Sequence, residues 1–148
     1  MPEFGRRLGA QAVGVYAADK PDATISGAAL SPTGRKLLAM AESSYERYNH
    51  AAMSIPAVAG FVGAWTLLHD VLPNISGAIT PGSIRAAALK VDIPAGDSIN
   101  GGGVRFGAEG TLDQGQNTRA AAVVGQWQGV QDMRVVYPAA YATAKPIL

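Results

Sequence analysis

The chain has 148 residues, 48% of them hydrophobic and 16% charged, and its twelve basic and eleven acidic side chains leave a formal net charge of +1. This is the length and composition of one ordinary globular domain, and the near-cancelled charge argues against a cationic face for nucleic acid. The absence of cysteine excludes disulfides, thiolate metal sites and thiol catalysis together, and leaves the compartment open.

The opening stretch "MPEFGRRLGAQAVGVYAA" carries Arg6 and Arg7, then an apolar run interrupted by Gly9, Gln11 and Gly14. A secretory signal needs a longer uninterrupted apolar region, so none is read here. Residues 11–18 read as a short buried strand, closed by the turn-forming "DKPDA". In "SPTGRKLLAMAESSYERYNH", Ser31 is the expected N-cap and Pro32 the first helical residue. Leu37, Leu38, Met40, Ala41, Tyr45 and Tyr48 recur at helical spacing and form the expected apolar face, opposite Glu42, Glu46 and Arg47.

A second helix is expected to open near Ser54 and Ile55, with Ile55, Val58, Ala59, Val62, Trp65 and Thr66 inward, and to stop at Pro73 and Asn74. Residues 55–72 are the most apolar segment, but His69 and Asp70 favour a buried amphipathic helix over a membrane span. The third helix has Thr80 as cap and Pro81 at its first position, with Ile84, Ala87, Ala88 and Val91 inward, and it ends before Pro94.

Beyond Pro94 the period changes. Val104 and Phe106 alternate with Arg105, and "AAAVVGQWQ" and "MRVVYP" read as two strands around the turn "GVQD". The glycine-rich "GGGVRFGAEG" fails as a phosphate cradle. Phe106 stands where the third glycine of the dinucleotide fingerprint belongs, and no Gly-Lys-Ser/Thr follows. These glycines instead let the backbone turn tightly into and out of a short strand. The C-terminal "AAYATAKPIL" reads as a loose apolar tail.

Catalytic chemistry finds little footing in these residues. His50 and His69, the only histidines, lie on different expected helices without metal-ligand spacing and read as exposed helix-end residues. No serine occupies a nucleophile elbow. The acids are scattered, with Asp19, Asp22, Asp97 and Asp132 expected in solvated turns. Core packing is the expected role of Trp65 and of Trp127.

The stretch "AESSYERYNHAAMSIPAVAGFVGAWTLL" resembles a segment of the type I periplasmic substrate-binding proteins of branched-chain amino acid and amide ABC transporters: Y-x-x-R-Y, here Tyr45-Glu46-Arg47-Tyr48 with one residue fewer, a short linker, then an apolar helix. The collinear stretches "SIRAAALKVDIPAGDSINGGGVRFGAEG" and "GQNTRAAAVVGQWQGVQDMRVVYP" resemble that family's helix, loop and G-x-G-V-x-F strand and its closing hairpin. "MPEFGRRLGAQAVGV" is similar to its approach to a lobe-crossing strand. The likeness runs over nearly the whole chain.

The resemblance implies an α/β fold: the C-terminal portion of a two-lobed periplasmic-binding-protein-like architecture, with about three helices, a short starting strand and a C-terminal hairpin. Residues 1–148 would be one incomplete unit, with a hinge-crossing strand over 1–18, a helical part over 31–93 and a strand and hairpin part over 101–138. Family members are much longer, so Met1 resembles an internal start. The implied role is a non-catalytic solute-binding component that closes around a branched-chain amino acid or amide-like molecule and docks on a transporter permease outside the cytoplasm. Implied partners are the solute, the permease and the missing N-terminal part, with self-association through exposed apolar surface and no nucleic acid. No cofactor or metal is implied. By position, Met53, Ser54, Ile55 and Phe61 would form a wall of the ligand cleft, and Tyr16 and Ala17 would lie at the hinge. Helix capping and core packing are the competing roles of these residues. A sensory module of the same fold and, less favoured, a small self-contained enzyme are the rival readings.

Overall fold

The computed structural model describes residues 2–22 and 24–147. The chain mixes α and β structure, with four α-helices, a three-stranded antiparallel sheet and a two-stranded ribbon among the described residues. It opens with helix α1, Pro2–Leu8, and a 3₁₀ turn, Gly9–Ala12. Strand β1 then covers only Tyr16–Asp19. The buried strand expected over residues 11–18 is therefore corrected in extent and in burial. Gly9 at φ 55° and Gly14 at φ 90° turn the backbone out of an extended path. β1 is an edge strand paired only with β4, which leaves Tyr16 54% exposed.

Helix α2, Pro32–Asn49, starts as the sequence predicts: the Ser31 hydroxyl accepts the Gly34 N–H at 3.1 Å, and Pro32 needs no partner for an N–H it lacks. Gly34 lies against the loop after β2, where an added Cβ would meet the Gly96 carbonyl oxygen at 2.0 Å. Of the expected apolar face, Ala41 is buried, Leu37 and Leu38 are half-buried, and Met40 and Tyr48 face solvent. The helix ends at His50, which takes a left-handed conformation and donates its N–H to Glu46 O at 2.8 Å.

Helix α3, Ile55–Trp65, is capped by Ser54, whose hydroxyl accepts from Ala57 N, and runs directly into a π-helical stretch, Thr66–Val71, and a 3₁₀ turn, Leu72–Asn74. The stop at Pro73 and Asn74 matches the sequence reading, and the widened turn does not follow from it. The stripe expected inward is buried at Val58 and Thr66 and half-buried at Ile55, Ala59, Val62 and Trp65, as an amphipathic helix requires, while only 17% of the apolar run as a whole lies inside the fold. Its length and composition would also let it cross a membrane, a test that core helices pass as well. Gly60, Ala64 and Leu68, spaced four apart on one ridge, are all exposed.

Helix α4, Pro81–Ala88, has a complete capping box between Thr80 and Ser83. Strands β2, Asp92–Ile93, and β3, Val104–Arg105, form the ribbon, and a Cβ on Gly103 would sit 2.3 Å from Ile93 O. Bare glycine is what allows that approach. Strands β4, Val123–Gly129, and β5, Asp132–Tyr137, make the expected hairpin, and the sheet order is β1-β4-β5.

Two small cores result. Val71, Ala87, Val91 and Val104 join α3's extension to α4 and the ribbon, while Ala41, Val58 and Ile99 join α2 to α3. Trp127 packs on Phe4 of α1 with ring centroids 5.6 Å apart, in keeping with its expected structural role. The C-terminal segment is tied down, contrary to the loose tail expected. Tyr141 Oη donates to Gly101 O at 2.7 Å, and the side-chain amide of buried Gln126 exchanges two hydrogen bonds with the backbone of Ile147, each 2.8 Å. A side-chain amide carries both a donor and an acceptor, so it can pair with the N–H and C=O of one backbone residue at once.

Candidate functional site

Two places on this fold concentrate the residues that could meet a ligand. One lies where the sheet meets the start of α3. Ala17 on β1 and Ile55 at the first turn of α3 line a small cavity of about 20 Å³ together with Val123, Gly125, Met133 and Val135 of the hairpin. Asp19, Lys20 and Asp22 complete its lining. Asp22 is engaged within its own turn, accepting from the N–H and hydroxyl of Thr24 at 2.7 Å each.

The six residues singled out from sequence are only partly gathered there. Ala17 and Ile55 come together. Tyr16, next on the strand, pairs across from Gln126 and is exposed. Ser54 is occupied as the α3 cap. Met53 and Phe61 pack instead against the Ala41–Val58–Ile99 core and line an apolar groove of about 400 Å³ between α2 and α3.

The second place is a cavity of about 280 Å³ between α2, α3 and residues 92–99. Phe61, Trp65 and His69 stack along one ridge, at centroid distances of 5.6 and 4.7 Å with planes inclined by 13° and 16°. Spacing of four puts these rings one above another on a helix. Trp65 is thus a half-buried wall residue, which corrects its assignment to the core.

His69 is likewise no helix-end residue, because the helical run continues to Asn74; its Nδ1 lies 3.2 Å from Asp70 Oδ1. Asp70 Oδ2 is buried and has no hydrogen-bond partner among the described residues. Asp97, expected in a solvated turn, is half-buried and accepts from the Ser31 hydroxyl. Asp92 on the same wall is paired with Arg119, which also donates to Ile93 O at 2.9 Å.

The ring spacing was visible in the sequence. That Asp92 and Asp97 face the same space was not, because the loop that carries them is placed by Gly34 and Gly96, far apart in the chain. Among the described residues no group of three or more His, Asp or Glu side chains could hold a metal ion. Among the described residues two groups have displaced protonation. Bonds from Arg6 and then Arg7 hold the Glu3 carboxyl below its usual range, and burial raises the Tyr141 phenol. Neither lines the two places described. Comparisons with protein-family models, curated proteins and solved structures return no match to this chain.

Proposed function

We propose that this chain is the C-terminal part of the solute-binding component of an ABC transporter, with a periplasmic-binding-protein-like fold. It acts without catalysis, outside the cytoplasm, by closing two lobes around a branched-chain amino acid or amide-like molecule and presenting the closed form to the permease. The observation that carries this reading is the meeting of Ala17, on the expected hinge strand, with Ile55, at the expected cleft wall, around one cavity. Its lining combines Ala17, Ile55, Val123, Met133 and Val135 with Asp19, Lys20 and Asp22, a mixture suited to a short apolar side chain on a zwitterion.

About 20 Å³ is far below the roughly 300 Å³ at which small-molecule pockets begin. A wall of this size therefore needs a facing surface, which in this reading the N-terminal part supplies. The exposed Gly60–Ala64–Leu68 ridge supports the same view, since an apolar helix face is ordinarily covered.

The decisive experiment is a calorimetric and thermal-shift titration of leucine, isoleucine, valine and short amides. It compares the 148-residue chain with the product of the whole gene that encodes it. Binding and a raised melting temperature are expected for a longer product only. Equal binding by the short chain, or a gene product no longer than this chain, overturns the proposal.

A further inference from the structure

Beyond the two places described above, a cavity of about 360 Å³ lies where the end of α3, its π-helical extension, α4 and the ribbon meet. It shares no lining residue with the Ala17–Ile55 wall. Val62, Leu67, Val71, Ile84, Val104 and Phe106 give it apolar walls, and no charged side chain among the described residues lines it. The hollow exists because small residues stand where larger ones would close it. Ala59 and Gly63 on α3 and Ala88 on α4 belong to the lining, and a Cβ added at Gly63 would meet nothing within 4 Å. The π-helical stretch is a second cause. A π turn stacks residues five apart, which brings Thr66 and Val71 to one wall, and such turns inside α-helices are frequent at functional sites.

The polar side chains in the lining are those of Thr66 and Asn117. Asn117 is committed to its own surroundings: Oδ1 accepts the N–H groups of Arg105 and Arg119 at 3.0 Å each, and Nδ2 donates to Gly103 O at 2.9 Å. These bonds fix the wall on the ribbon side. Thr66 is only 8% exposed, and its hydroxyl has no hydrogen-bond partner among the described residues. The one unpartnered side-chain oxygen sealed from solvent among them is Asp70 Oδ2. The Thr66 hydroxyl is therefore both unpartnered and reachable.

We infer that this cavity binds an uncharged organic molecule of about two fused rings with one hydrogen-bond-accepting oxygen. Its body lies against Val71, Val104 and Phe106, and its oxygen accepts from the Thr66 hydroxyl. A dry cavity of about 150 Å³ takes up benzene, so about 360 Å³ admits a bicyclic body. An ion of either sign would lose hydration against a lining with no countercharge. Water gains little there, since an ordered water needs about two to four polar partners. Displacing such water with an apolar body is favourable, and a single accepting oxygen satisfies the hydroxyl that the body would otherwise cover.

The test titrates 1-tetralone, a bicyclic ketone, into the 148-residue protein and follows isoleucine δ1-methyl NMR signals, with Ile84 assigned through Ile84→Val. The ketone should shift Ile84, in the cavity wall, saturably and leave Ile147, beside the sheet, in place. Tetralin, the same rings without the oxygen, separates shape from hydrogen bonding. Thr66→Val should weaken the ketone about threefold or more, the loss of one hydrogen bond, and change tetralin less than about twofold. Tetralin-1-carboxylate should give no saturable shift. Gly63→Leu fills the hollow and raises helix propensity, so binding of ketone and hydrocarbon should both vanish with melting retained. No saturable response at Ile84, equal effects of Thr66→Val on ketone and tetralin, a carboxylate that binds as tightly as the ketone, or binding retained in Gly63→Leu overturns the inference. Should Thr66→Val fail to fold, the Gly63→Leu and carboxylate arms decide it.

Discussion

Gly34 sits inside a helix, where alanine is ordinarily better by about 0.5–1 kcal/mol. Here the sign should reverse, because a methyl group would stand 2.0 Å from the Gly96 carbonyl oxygen, and backbone on both sides leaves nothing flexible to yield. Gly34→Ala is expected to lower unfolding free energy by about 1–3 kcal/mol in a denaturant titration, the range of overpacked sites. An unchanged or raised midpoint would show that α2 does not rest on that loop as described. Tyr141 makes a second residue-scale case. Burial raises its pKa above 10.0, so the folded chain keeps the phenolic proton after the unfolded chain has lost it. Stability should therefore be unaffected by this group below the ordinary phenol range and fall as pH climbs through and above it. Absorbance titration should show one tyrosine ionising late, and Tyr141→Phe should remove that late step and its part of the alkaline decline.

The helices and the hairpin differ in how far their sequences announce them. Ser31-Pro32, Ser54-Ile55-Pro56 and Thr80-Pro81 each combine a side-chain acceptor with a proline near the first helical position, and each begins a helix. The β4–β5 hairpin was legible because alternating apolar residues flank a turn in which Gln131 takes φ 62°. What failed to read depends on distant contacts. The tail looks featureless in sequence because its partners, Gln126, Val135 and Gly101, lie elsewhere in the chain. The inward stripe of α3 was legible, but the opposite face is apolar too, and composition does not record whether anything covers it. Leu68, 64% exposed on that face, tests the point. Leu68→Glu should change stability by no more than about 0.5 kcal/mol. It should also reduce self-association in sedimentation velocity. A large loss of stability would mean that the ridge is packed within this chain.

At the scale of the molecule, the Ala17–Ile55 wall and the cavity between α3, α4 and the ribbon lie on opposite claims about what the chain does alone. In the proposed reading the first awaits a facing lobe, and the second is lined by residues already present. Solute and ketone titrations therefore answer separately: the short chain can take up a ketone while binding no leucine, and either result stands without the other. The sheet carries one more consequence. β1 pairs with β4, and Gly14 and Gln126 are hydrogen-bonded across 112 residues of sequence. On a ribosome, that sheet has no second strand until most of the chain has been made, whereas α2, α3 and α4 need only their neighbours. Such distant pairings form late. The emerging chain thus passes through a stage in which an apolar helix is complete and its sheet does not yet exist, the stage at which chaperone capture and aggregation compete with folding.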